Sequence, residues 1–114
     1  MAKRFEDDSG VVVAPPETKK AQKTERPRMF VVLMHNDHYT TREFVVYVLE
    51  TVFRHSESRA IEIMMHVHTR GVGVAGVYTR EIAETKVATV ERMAREMEYP
   101  LLLTMEPESG DEKS

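Results

Sequence analysis

The sequence predicts an α/β fold of the α+β kind: a compact sandwich of a three-stranded antiparallel sheet with three helices, in the order βααβαβ, preceded by a disordered N-terminal arm. Three observations carry this. Short apolar runs rich in β-branched and aromatic residues stand near residues 29–34 and 101–105. Between them lie segments whose apolar residues recur at intervals of three and four. Three strands cannot bury both of their faces, so the helices must cover one. At 114 residues there is room for a single domain. Apolar residues are sparse before Arg28 and after Glu106. The expected layout is a disordered extension over 1–28, a core over 29–106 and a disordered acidic tail over 107–114.

The first strand is read from Met29, Phe30, Val31, Val32, Leu33 and Met34, a run expected to be buried. It ends where Asn36 and Asp37 favour a turn. Thr40 with Glu43 three residues on is a capping-box pattern. The first helix is therefore placed over about 41–54, with Phe44, Val45, Val48, Leu49, Val52 and Phe53 at helical spacing. Ser56 is suited to cap a second helix, which sets Ala60, Ile63, Met64 and Val67 on one face, with His68 one turn after Met64. Gly71 stops it. Val72, Val74, Val77 and Tyr78, with Gly73 and Gly76 between them, read as a strand that another element approaches closely. Thr79 opens a third helix, with Ala83, Val87, Val90, Ala94 and Met97 as its apolar stripe. Tyr99-Pro100 breaks it, and a last strand follows from Leu101 to Met105.

Composition narrows the function. No cysteine is present, which removes disulfides, thiolate nucleophiles and thiolate metal sites and fits a reducing compartment. No apolar run approaches a membrane span or a secretory signal, so a cytoplasmic location is expected, with no membrane partner. A net charge of −3 argues against nucleic acid as a partner, although Lys19, Lys20, Lys23, Arg26 and Arg28 form a basic segment. No nucleophile elbow, P-loop, dinucleotide fingerprint or EF-hand loop occurs, and the chain is not expected to be an enzyme or to carry a cofactor. His66 and His68 stand two apart on a helix and point to nearly opposite sides, so they cannot share an ion. A site from His35, His38 and His68 lacks any supporting ligand spacing, so no metal is expected. His35, His55 and His66 are read as surface or structural.

The segment Asn36-Asp37-His38-Tyr39-Thr40 opens a helix, and Met64, Val67 and His68 can face it from another. Together they offer hydrogen-bond acceptors beside a flexible apolar wall. On pattern alone, Asn36 and Asp37 could equally make only the turn and cap, with Met64 and Val67 in the core.

At these residues the sequence resembles the ClpS family of adaptors, which present proteins bearing destabilising N-terminal residues to an AAA+ Clp protease. The resemblance runs without a gap from about Met29 to Glu106. It is carried by Asn36-Asp37-x-Tyr39-Thr40-x-x-Glu43-Phe44-Val45, Met64-x-x-Val67-His68, Gly76-Val77-Tyr78-Thr79, Ala83-Glu84-Thr85-Lys86-Val87 and Pro100-Leu101.

The resemblance implies that Asn36 and His68 hydrogen-bond the α-amino group of a ligand, with Asp37 and His38 in the same loop. Met34, Thr40, Arg42, Val45, Met64, Val67 and Leu101 would form the side-chain pocket. A buried ammonium needs acceptors, and burying a Phe or Leu side chain contributes roughly 1.5–3 kcal/mol. Micromolar binding corresponds to about −8 kcal/mol, so both halves must contribute. His68 has to be neutral to accept, and binding is expected to weaken below about pH 6. The family docks on the N-terminal domain of a ClpA-like or ClpC-like unfoldase through its third-helix region, which carries over to Glu81 and Lys86. The implied partners are that domain and the N-terminal segments of substrates, with the adaptor a monomer.

Two positions depart from the family pattern. His38 stands where a second Asp is usual, and Arg42 where a Met usually guards the pocket mouth. A guanidinium stacks on an aromatic ring but gains little against an aliphatic chain, so a preference for Phe, Tyr and Trp over Leu is expected. The alternative to capture is a protein-interaction module of the same fold with altered or lost N-terminal recognition.

Overall fold

A computed structural model of the chain describes residues 27–108. The expected arm, apart from its last two residues, and the tail past residue 108 lie outside them. The described elements are β1 (Met29–His35), α1 (Arg42–Thr51), α2 (Glu57–Arg70), β2 (Val72–Thr79), α3 (Arg80–Glu96) and β3 (Leu102–Pro107), in the predicted order. β1 is central, antiparallel to both neighbours in a β2-β1-β3 sheet.

A strand's side chains alternate between faces, and here the helices lie on one face alone. Val32 and Met34 of β1, Ala75 of β2 and Leu103 of β3 are buried against Val45, Val48 and Leu49 of α1, Ala60, Ile63 and Val67 of α2, and Ala83, Val90 and Ala94 of α3. The expectation that β1 is buried throughout is corrected accordingly: Val31 and Leu33 face outward and are half-buried. On β2 the valines are the outward residues, with Val74 47% exposed, while Gly73 and Ala75 face the helices.

Small residues are needed there because α2 crosses close to the sheet. A Cβ on Gly73 would lie 2.8 Å from Val67 Cγ2 and 3.1 Å from His66 Cδ2, which is the close approach the sequence suggested. At Gly76 the neighbour is not another element. Tyr78, two residues on and therefore on the same face, lays its ring over the glycine, with Cζ 2.6 Å from where a Cβ would sit. A bulge between these glycines leaves Ala75 without a partner on β1, and the imidazole Nε2 of His55 donates to its carbonyl at 2.7 Å.

Three helix boundaries differ from the expectation, and the last strand runs over Leu102–Pro107 where Leu101 to Met105 was expected. The N-cap of α1 is Thr41, whose Oγ1 accepts from the Phe44 N–H at 3.1 Å, and not Thr40, which the preceding loop has claimed. α1 ends at Thr51; Val52 is its C-cap, and the buried Phe53 and left-handed Arg54 (φ 65°) lie beyond it. Met97 is the C-cap of α3, past the end of the apolar stripe, and is 53% exposed. Ser56 caps α2 and Gly71 closes it at φ 91°, both as predicted.

Candidate functional site

The loop leaving β1 is organised by one carboxylate. Asp37 Oδ1 accepts from the backbone N–H groups of Tyr39 and Thr40 at 2.8 and 2.7 Å, and Oδ2 accepts from the Thr40 hydroxyl at 2.8 Å. This is the Asx-type turn that Asp favours, and it leads directly to the Thr41 cap. Partial burial pushes the Asp37 pKa up. The bonds from Thr40 and Tyr39, with the nearby His38 charge, outweigh that and hold it below its ordinary value.

The loop is also tied to the far end of α2. The Asn36 N–H donates to the Gly71 carbonyl at 2.9 Å, just where αL geometry ends that helix. Met64, Val67 and His68, spaced i, i+3 and i+4, are neighbours on the helix surface. They meet the loop in one open cavity of about 540 Å³, shared with Asn36, Asp37, His38, Thr40, Arg42 and Val45.

Nine of the eleven residues predicted for the amine site and the side-chain pocket therefore line one cavity. Met34 and Leu101 do not. They are 0% and 6% exposed and belong to the core, because Met34 points from the covered face of β1 and Leu101 tucks in just before β3. They are core residues that do not line this cavity. Tyr39, Thr41 and Glu43 line the cavity and were not predicted. The signal for Tyr39 was its place at the tip of a polar turn, where it is 77% exposed.

One contact in the cavity bridges two helices. Arg42, the first residue of α1, places its guanidinium NH2 3.1 Å from Nε2 of His68 on α2. A guanidinium has donors and no acceptor, so Nε2 is the accepting nitrogen here and the imidazole proton sits on Nδ1.

Residues 25–104 match the family described as ATP-dependent Clp protease adaptor protein ClpS. The chain belongs to the ClpS family. It is 54% identical over 110 residues to the ATP-dependent Clp protease adapter protein ClpS of Myxococcus xanthus, covering 96% of this chain and all of that one. It is 59% identical over 102 residues to that of Desulfatibacillum aliphaticivorans, covering 90% of this chain and 94% of that one. Among solved structures it is similar to Agrobacterium tumefaciens ClpS2 bound to L-phenylalaninamide, at 44% identity and a TM-score of 0.70, over 73% of this chain and all of that one. Membership makes it an adaptor of the Clp protease system, in a family that is not itself a protease.

The two positions that family resemblance carries to the protease side are unequally free in this ClpS-family chain. Glu81 is exposed in the first turn of α3. Lys86 is half-buried; its Nζ donates to the Val52 carbonyl at the end of α1 at 2.7 Å and lies 5.2 Å from the centre of the Tyr78 ring. Five positions separate them, about 140° around the helix, so they do not share a face. His35 Nε2 is paired with the Thr104 hydroxyl at 2.8 Å, and His55 with the bulge at Ala75, which is the structural role expected of both. No helix of the described residues is long and apolar enough to cross a membrane.

Proposed function

We propose that this adaptor captures the free N-terminal residue of a substrate protein in the cavity between the 36–41 loop and α2, and delivers the substrate to an AAA+ Clp protease. The observation that carries this is the meeting, in one cavity, of the acceptors Asn36 and His68 with the apolar side chains of Val45, Met64 and Val67. An α-ammonium leaving water requires such acceptors, and a bulky hydrophobic side chain requires such a wall. His38 lines the cavity from the same loop and would contact the amine or the next peptide unit.

The similar ClpS2 is bound to L-phenylalaninamide, a molecule with a free α-amine, a benzyl side chain and an amide where the next residue would begin. That is the ligand class proposed here: a bulky hydrophobic first residue, with aromatics favoured because the planar Arg42 guanidinium at the cavity can lie on a ring face. Delivery would run through the exposed Glu81 region of α3 to the N-terminal domain of a ClpA-like or ClpC-like unfoldase, with Lys86 contributing mainly by holding α3 to α1. A cytoplasmic location fits the absence of cysteine, and the adaptor would act as a monomer.

The reading is tested by titrating labelled peptides that differ only in their first residue. Phe should bind at least about tenfold more tightly than Ala, since its burial contributes more than about 1.4 kcal/mol. Equal affinities for Phe and Ala would overturn it. A module that has lost N-terminal recognition is favoured by one observation, the Arg42 donor already seated on His68, and the same titration decides between them.

A further inference from the structure

The Arg42–His68 contact has a consequence for ligand choice that rests on the reading just given. Among the described residues Arg42 pairs with no carboxylate, and its hydrogen bond goes to the imidazole nitrogen that would receive the ligand's amine. The two donors, guanidinium and ammonium, carry the same charge and want the same lone pair. They cannot hold it together, so a ligand must displace Arg42.

Displacement leaves a cation at the cavity that no carboxylate is paired with among the described residues. Asp37 has both carboxylate oxygens engaged by Tyr39 and Thr40. Glu43, the other carboxylate lining the cavity, is next to Arg42 in a helix, where adjacent side chains do not face each other. His38 and His68 contribute no negative charge. The ligand can supply a new partner. In a peptide the second Cα lies within about 5 Å of the α-amino nitrogen, since N–Cα is about 1.5 Å and successive Cα atoms are 3.8 Å apart. An acidic side chain on the second residue therefore emerges beside the displaced guanidinium, whose planar fork matches a carboxylate while its face can still rest on an aromatic ring.

We infer that Arg42 is a latch on the amine acceptor and, once displaced, a selector for substrates whose first bulky residue is followed by an acidic one. The guanidinium opposes every free-amine ligand and is compensated by those that bring a carboxylate.

The test uses the full chain and four peptides identical beyond position two: Phe-Glu, Phe-Gln, Phe-Lys and N-acetyl-Phe-Glu, titrated against wild type, R42M and R42Q. Circular dichroism melts confirm that the variants, changed at an exposed first helical position, keep the fold. Wild type should prefer Phe-Glu over Phe-Gln by about two- to fivefold, the range of an exposed ion pair, with Phe-Lys weakest and the preference shrinking in high salt. R42M should lose that preference and bind Phe-Gln more tightly than wild type does. R42Q keeps a donor for His68 without the charge, so it should lose the preference as well. Equal Glu-to-Gln ratios in wild type and R42M, or a wild-type preference for Phe-Lys, would overturn the inference while leaving amine capture intact. Failure of all three free-amine peptides to bind, or binding of the acetylated one as tightly as Phe-Glu, would overturn the site reading and this inference with it.

Discussion

The backbone N–H of Asn36 donates to the carbonyl of Gly71 at 2.9 Å, and that bond joins the end of β1 to the end of α2. It sets the loop carrying Asn36, Asp37 and His38 against the helix carrying His68. Gly71 holds the αL geometry (φ 91°) that delivers the carbonyl, and a Cβ there would meet nothing within 4 Å. Gly71→Ala should therefore lose only the backbone preference, about 1 kcal/mol in urea unfolding. Asn at this position should lose less, because Asn visits αL more readily.

At Gly73 the same substitution acts through space. The added methyl meets Val67 and His66, and Val67 lines the cavity. Gly73→Ala should lower stability by about 1–3 kcal/mol, as overpacking does, and should also weaken binding of a Phe-initiated peptide. Unchanged affinity in a destabilised Gly73→Ala protein would show that the α2 wall moves without consequence for the ligand.

Asp37 sets a pH dependence of known sign. Its folded-state pKa is depressed, so the stability it contributes is present above the ordinary carboxylate value of about 3.9 and is lost as pH falls through the folded value. Chemical unfolding of wild type and Asp37→Ala should differ by about 1–2 kcal/mol at neutral pH and converge in acid. A constant difference down to pH 2 would contradict the carboxylate's role in the turn.

Lys86 and Glu81 can be separated. Lys86→Met removes the donor to Val52 and the cation over Tyr78, and should cost about 1–2 kcal/mol of stability. Glu81→Gln, on an exposed position, should leave stability within about 0.5 kcal/mol and act only on delivery of a bound substrate by the protease. A Lys86→Met protein with wild-type unfolding would return Lys86 to the set of simple surface contacts.

Much of this was legible in the sequence because it is local. Ser56 and Gly71 bound α2 through caps that use side chains and dihedrals of a few adjacent residues, and the apolar spacing of α1, α2 and α3 reports one covered face. Where two local solutions competed, pattern could not arbitrate: Thr40 and Thr41 both suit an N-cap, and Asp37 decides by bonding Thr40. The pattern of β2 gave a closely approached strand without saying which face is covered, and the closeness of α2 reserves the covered side for Gly73 and Ala75. Burial depth was also hidden: pattern does not tell that Met34 and Leu101 lie in the core, away from the open cavity's lining. The contacts that matter most to the site's behaviour span long stretches of chain: Arg42 to His68 across 26 residues and Lys86 to Val52 across 34. No spacing rule announces such pairs.

Capture of a free α-amine is tested most directly by isothermal titration of one Phe-initiated peptide and its N-acetylated twin. Acetylation removes the charge and leaves one N–H where Asn36 and His68 would receive two, while keeping the side chain. The account predicts micromolar binding of the free peptide and a loss of at least about a hundredfold on acetylation, since an unpaired buried acceptor or a lost charged hydrogen bond each cost about 1.5–3 kcal/mol. Equal affinity for the two peptides would contradict it.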